Sequence, residues 1–179
     1  EHLQAQIRRG LNHDVVLLSG GVSAGSRDLV PPALEAMGVR RVFHKVRLRP
    51  GKPLWFGVRE GRDSSEQISL VFGLPGNPVS SLVCFELFVR PALARLAGRN
   101  EVICPRLHAV LAGPFTSRGD RPTCFPVKLS YQPQLSAQPL AWQGSADLRS
   151  LAEADALAFF PAGDRKYEPG ETVEVLPLN

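Results

Sequence analysis

Cysteine, histidine and aromatic residues are all scarce in this chain, and each shortage removes a class of protein. The three cysteines, Cys84, Cys104 and Cys124, show no CxxC spacing, and an odd number argues against a disulfide framework. Cys84 falls in an apolar helical pattern and reads as a buried core thiol, which fits a reducing cytoplasm. The four histidines, at 2, 13, 44 and 108, are too scattered to form a His or Cys metal cage. No Ser-His-Asp constellation can be proposed from chain order either. Long apolar runs are missing: the longest is broken by Gly, Pro and Asn, which leaves no candidate membrane span. No secretory signal is visible. The chain opens at Glu1 rather than Met, inside what reads as a helix, so a piece of a longer protein is expected.

Acids are absent from one stretch. Residues 39–52 carry six bases (Arg40, Arg41, Lys45, Arg47, Arg49 and Lys52) and no acid, whereas residues 144–179 carry seven acids against three bases. A local basic patch in a chain of net charge +4 suits an anionic small molecule or a nucleic acid. The patch lacks the interleaved series of aromatics that a single-strand binder uses, which favours the small anion. No nucleic-acid or membrane partner is expected.

What is present is a globular composition, 44% hydrophobic and 21% charged. At 179 residues the chain suits one sizeable core, or a medium domain with a small one. Leu3, Ile7 and Leu11 mark an amphipathic helix ending near Asn12. Residues 15–18 are continuously apolar, as in a strand buried on both faces. Val30, Leu34 and Met37 predict a helix stopped by Gly38. Residues 41–49, RVFHKVRLR, alternate: Val42, His44, Val46 and Leu48 on one face, and Arg41, Phe43, Lys45, Arg47 and Arg49 on the other. This predicts a strand with one basic face. On the apolar side, His44 reads as a packed core residue, and Trp55 and Trp142 also read as packing residues. Further strands are expected at 54–58 and 68–72, joined by the polar connection 59–67. A long helix at 79–97 follows, capped by Asn77 with Pro78 at its first position and kinked at Pro91. Beyond Gly98 come short strand-like runs, HAVLAG, CFPVKLSY, PLAWQ, ALAFFP and TVEVLPL, separated by turns. The expected fold is α/β, with a mostly parallel sheet and flanking helices over residues 1–98. A small all-β, barrel-like domain is expected over residues 99–179.

Chemistry concentrates at two strand-to-helix junctions. SGGVSAG (19–25) leaves a strand where open α/β sheets bind ligands. Its glycines let main chain approach a ligand, and amides near a helix start favour an anion, although a tight turn without a ligand has the same composition. GLPGNPVSS (73–81) is the second junction, with Ser80 and Ser81 in the first helical turn as caps or as oxyanion contacts. Asp28 is either a helix cap or a carboxylate facing the ligand. Lys45, Arg47 and Arg49 are either solvated or line an anion site, with Lys52 held in the stiff RPGKP turn.

Taken in order, SGGVSAGSRD (19–28), FHKVRLRPGKPLWFG (43–57), VFGLPGNPVSSLVCFELFVRPAL (71–93) and SADLRSLAEADALAFFP (145–161) resemble the molybdopterin molybdenumtransferase family. These are MoeA-type enzymes of molybdenum cofactor synthesis, which include the gephyrin E domain. The resemblance implies an enzyme that takes adenylylated molybdopterin and molybdate, inserts the metal at the dithiolene sulfurs and releases AMP with help from Mg²⁺. It implies a pterin-binding α/β domain, here truncated at its N-terminus, followed by a β-barrel, with the complete protein a cytoplasmic homodimer.

By motif position, the resemblance makes Asp28 the acid near the active centre and a possible Mg²⁺ ligand, and Lys45 and Lys52 the catalytic lysines. Pterin and AMP phosphates fall to Ser19, Gly20, Gly21, Ser23, Gly25, Arg49, Pro75, Gly76 and Asn77. Molybdate falls to Lys52, Ser80, Arg121 and Ser145. Two departures stand out: Arg49 where many relatives have lysine, and Pro126 where several have a second arginine. The resemblance also implies that the first half of the pterin domain and the dimerisation region lie outside this chain, which would then not turn over alone. A molybdopterin adenylyltransferase and a scaffold module derived from a pterin domain are the alternatives.

Overall fold

The computed structural model describes residues 2–22, 28–61, 68–99, 105–144 and 146–178. The chain divides into two compact units, residues 1–46 with 51–77, and residues 47–50 with 78–179.

The first unit is an α/β layer. Helices α1 (His2–Gly10) and α2 (Val30–Ala36) accompany strands β1 (Val15–Ser19), β2 (Arg40–His44), β3 (Trp55–Arg59) and β4 (Ser69–Leu74). The strands run in the order β1-β4-β3-β2. β1 and β4 are parallel, with Ser19 opposite Leu74, whereas β4–β3 and β3–β2 are antiparallel. The sheet is therefore mixed rather than mostly parallel. The connections explain this: about ten residues join β2 to β3 and β3 to β4, too few for the crossover that parallel neighbours require.

Ile7 of α1 and Leu11 just after it, with Val30 and Leu34 of α2, bury against Val16, Trp55 and Val71 of the sheet. At the foot of α2, Gly38 is left-handed (φ 80°). Gly38 N donates to Glu35 O, and Val39 N to Leu34 O, which is the Schellman closure expected of a glycine stop. β1 is an edge strand, and its expected burial on both faces does not hold: Leu17 is 45% exposed. The opposite face of the sheet carries a row of tilted rings, Phe43–Phe56 at 5.4 Å and Phe56–Phe72 at 4.6 Å.

The second unit begins with a helix in three parts: α3 (Pro78–Cys84), a π segment (Phe85–Val89) and α4 (Arg90–Leu96). Pro91 has no N–H to donate, and its ring would clash with the carbonyl four residues back. The widened π turn just before it, where Arg90 N donates to Phe85 O, is the form the predicted kink takes. Beyond it, β5 (Leu107–Leu111), β7 (Thr123–Ser130), β8 (Ser136–Pro139), β9 (Ala156–Phe160) and β11 (Thr172–Pro177) close into a barrel in the order β11-β5-β8-β7-β9. β6 (Phe115–Ser117) and β10 (Arg165–Tyr167) form a separate ribbon. The barrel is filled by Val127, Ala137, Ala158, Phe160 and Val175.

Two sequence expectations fail here. The strand expected at PLAWQ lies earlier, at β8. An unforeseen helix, α5 (Leu148–Glu153), follows Asp147, whose carboxylate accepts from Arg149 N and Ser150 N at 3.1 Å each. Among the described residues no helix is long and apolar enough to cross a membrane.

Candidate functional site

The topology of the first unit sends several candidate residues to one edge of its sheet. β1, β4 and β2 all end at that edge, and β3 starts there. Ser19–Gly20–Gly21 leaves β1, Pro75–Gly76–Asn77 leaves β4, Lys45 follows β2, and the turn holding Lys52 leads into β3.

The two glycine-rich junctions meet main chain to main chain. A Cβ placed on Gly76 would lie 3.5 Å from Gly20 Cα, and one on Gly20 would lie 3.8 Å from Gly76 Cα. Gly20 and Gly21 are both left-handed, with φ of 83° and 66°. Gly20 N donates to Leu74 O at 2.9 Å, so this amide is committed to the sheet and the residue serves close approach. Beyond it, Val22 is 2% exposed and rests on Gly73, where an added Cβ would meet Val22 Cγ1 at 2.6 Å. His44 Nε2 donates to Val22 O at 2.9 Å. Val30 N, at the start of α2, donates to Gly21 O at 3.4 Å.

Asp28 is half-buried and stands just outside α2, whose cap position is Leu29. Ser23 and Gly25 lie outside the described residues.

The basic strand face is overturned. β2 is bulged between Arg41 and Phe43, which leaves Val42 exposed, and it ends at His44. Lys45 is the one left-handed non-glycine among the described residues, with φ 72°. A left-handed residue breaks the alternation on which a shared face depends. Lys45 N donates to Leu54 O at 2.8 Å and Val46 N to Lys52 O at 2.9 Å, so the turn carrying Lys52 is laced to the segment carrying Lys45. Both lysines are exposed. Backbone strain of this kind clusters at active sites and ligand clamps.

Arg47 and Arg49 belong instead to the second unit. Arg49 N donates to Pro122 O, and Cys124 N donates to Arg49 O. The Arg47 guanidinium donates to Asp120 O at 2.7 Å, that of Arg49 to Arg118 O at 3.3 Å, and that of Arg121 to Leu48 O at 3.1 Å. Arg49 and Arg121 are thus brought into one bridge between residues 47–50 and the start of β7. Ser80 is buried in the first turn of α3, and Pro126 is buried within β7. Ser145 lies outside the described residues.

Burial pushes the Cys84 and Cys124 thiols up to about 12, which keeps both protonated at neutral pH. Among the described residues no cluster of three or more His, Cys, Asp or Glu could hold a metal ion. Sequence reasoning treated His44 as packing and missed its hold on the glycine loop. Its neighbour Lys45 was a hint, but the register that sets His44 opposite Trp55, two strands from β4, is not local information.

An α/β unit with two apposed glycine loops and lysines at one sheet edge, joined to a closed β-barrel, defines a two-part protein suited to anions. The comparisons with known proteins make the class specific. Residues 1–95 match the family described as probable molybdopterin binding domain, and residues 108–178 match the MoeA C-terminal region (domain IV). The molybdopterin molybdenumtransferase of Synechococcus elongatus is 39% identical over 171 residues, covering 92% of this chain and 38% of the relative. That of Synechocystis sp. is 32% identical, covering 90% and 37%. The crystal structure of a molybdopterin biosynthesis MoeA protein from Pyrococcus horikosii superposes with a TM-score of 0.80 at 34% identity, over 100% of this chain and 41% of that one. The chain belongs to the MoeA-type molybdopterin molybdenumtransferase family. It spans just under two fifths of the length of those curated relatives.

Proposed function

We propose that this chain forms the pterin-phosphate edge and the C-terminal barrel of an enzyme that inserts molybdate into adenylylated molybdopterin and releases AMP. The observation that carries the reading is the apposition of Gly20 and Gly76 at the sheet edge where Lys45 and Lys52 also emerge. Main chain without side chains lets a phosphate-bearing ligand come close to the backbone of both loops, and the lysines supply charge beside it. Scission of the link between the pterin and adenylate phosphates leaves charge on the phosphate oxygens. Fixed ammonium and amide donors stabilise that charge, each worth roughly 10²–10³ in kcat. Gly21, Pro75, Gly76 and Asn77 line the corridor, and motif position assigns Ser23 and Gly25 to the same ligand. Arg49 and Arg121, linked through the same backbone bridge, serve oxyanion binding, with Ser80 and Ser145 as the hydroxyl contacts of molybdate.

Mg²⁺ fits as an ion carried largely by its substrate: Asp28 offers a carboxylate, the described residues offer no cage, and Mg²⁺ accepts one or two carboxylates plus phosphate and water oxygens. When bound it would neutralise phosphate charge. We place the domain division at residues 98 and 99, where texture changes from helix–strand alternation to short strands. We take the working protein to be a cytoplasmic homodimer acting on small anions.

The test is AMP release from adenylylated molybdopterin and molybdate by the protein that carries this sequence. Asp28→Ala should abolish release with folding intact, and Lys52→Ala should weaken substrate binding. Normal turnover by both variants would sink the site assignment. Consumption of ATP with formation of adenylylated molybdopterin would favour the adenylyltransferase instead.

A further inference from the structure

An anion cradle made of main chain needs amide hydrogens facing the ligand and carbonyl oxygens held elsewhere, because a carbonyl turned inward repels a phosphate. In the loop that leaves β1, two carbonyls are tied back to the protein. Gly21 O accepts from Val30 N, and Val22 O accepts from His44 Nε2 at 2.9 Å. The second tie comes from a side chain, so substitution can remove it. Val22 also rests on Gly73 within the buried cluster that includes Trp55, so the loop is held by packing as well as by this hydrogen bond. His44 is the last residue of β2 and immediately precedes the left-handed Lys45. A single residue thus joins the glycine loop, through its side chain, to the backbone that aims the lysine.

We propose that His44 is a positioning residue: it holds the Val22 carbonyl out of the phosphate corridor and fixes the spacing between that corridor and Lys45. The proposal rests on the functional reading above. His44 touches no substrate. Its imidazole N–H keeps one acceptor occupied, and Nε2 must carry the proton for the bond to exist. The neutral Nε2–H tautomer and the imidazolium both meet that requirement.

The substitutions that test this separate a hydrogen bond from bulk. In His44→Gln the side-chain amide reaches about as far as Nε2 and can donate to Val22 O; in His44→Asn it stops one methylene short; His44→Leu keeps volume but has no donor. AMP release should stay within about threefold of wild type for Gln. It should fall about 10- to 100-fold in kcat for Leu and Asn, as expected when a reacting group is misplaced by about 1 Å. Amide exchange over residues 20–22 provides the second readout: Leu should speed it about fivefold to tenfold, and Gln should not. Equal kcat in Leu and Gln, or exchange unchanged in Leu, overturns the proposal. A wild type that releases no AMP sinks the function reading instead, and the exchange measurement still decides whether His44 holds the loop.

Discussion

The most demanding structural consequence concerns Gly73, which lies under the loop rather than in it. A methyl group there would sit 2.6 Å from Val22 Cγ1 and 3.2 Å from Trp55 Cβ. Carbon atoms in ordinary contact are about 3.5–4.0 Å apart, so Val22 must move by roughly 1 Å. Neither neighbour can move into solvent, since Val22 is 2% exposed and Trp55 is fully buried. Overpacking of this kind costs about 1–3 kcal/mol, and Gly73→Ala should lose that much in urea unfolding. The displaced loop should also lower AMP release by about 100-fold. Val22→Ala removes the obstructing methyls at its own cost of about 2 kcal/mol, since two buried carbons lose their transfer free energy and leave some cavity. Combined with Gly73→Ala, it should cost little more than Val22→Ala alone, which gives a coupling of about 1 kcal/mol or more. A neutral Gly73→Ala, or a strictly additive pair, would refute the claim that Val22 wedges the loop through this contact.

Two further outcomes follow from local geometry. Left-handed backbone costs an ordinary L-residue roughly 1–2 kcal/mol, part of which glycine returns as unfolded-state entropy. Lys45→Gly should therefore unfold at higher urea, by about 0.5–1 kcal/mol, while losing AMP release; a less stable variant would contradict the strain argument. Asp147 is held down to about 2 by the Ser150 hydroxyl and the amides of Ser150, Gln143 and Arg149. Its folded value lies below the unfolded one, so its contribution is fully present above about pH 4 and is lost as pH falls toward 2. Asp147→Ala should lower the unfolding temperature above pH 4 and remove that part of the acid dependence. An unchanged acid limb would show that the α5 cap contributes nothing.

Legibility in the sequence followed the range of the forces involved. SGG and GLPGN were readable because a glycine at a strand end has a local meaning, and Gly38 closed its helix as its φ requires. The barrel was readable from short runs separated by turns. The basic strand was not: its alternation held only to Arg41, and what broke it, the bulge at Val42 and the left-handed Lys45, is set by pairing with β3. Arg47 and Arg49 left the expected face because their segment pairs with residues 120–124, more than seventy positions away. The mixed sheet could have been foreseen from the two short connections that flank β3. The signal for α5 was an Asp cap before Leu148 and Leu151, which the surrounding strand-like texture obscured.

The central claim is that the phosphate-bearing ligand lies against the apposed main chain of Gly20 and Gly76, close enough that a side chain on either would intrude. Gly76→Ala tests it directly. The added methyl would meet Gly20 Cα at 3.5 Å, an ordinary contact, so the variant should fold as well as wild type. Isothermal titration with adenylylated molybdopterin should then show affinity at least about tenfold weaker at matched stability. Equal affinity in the two proteins would mean that the ligand binds elsewhere.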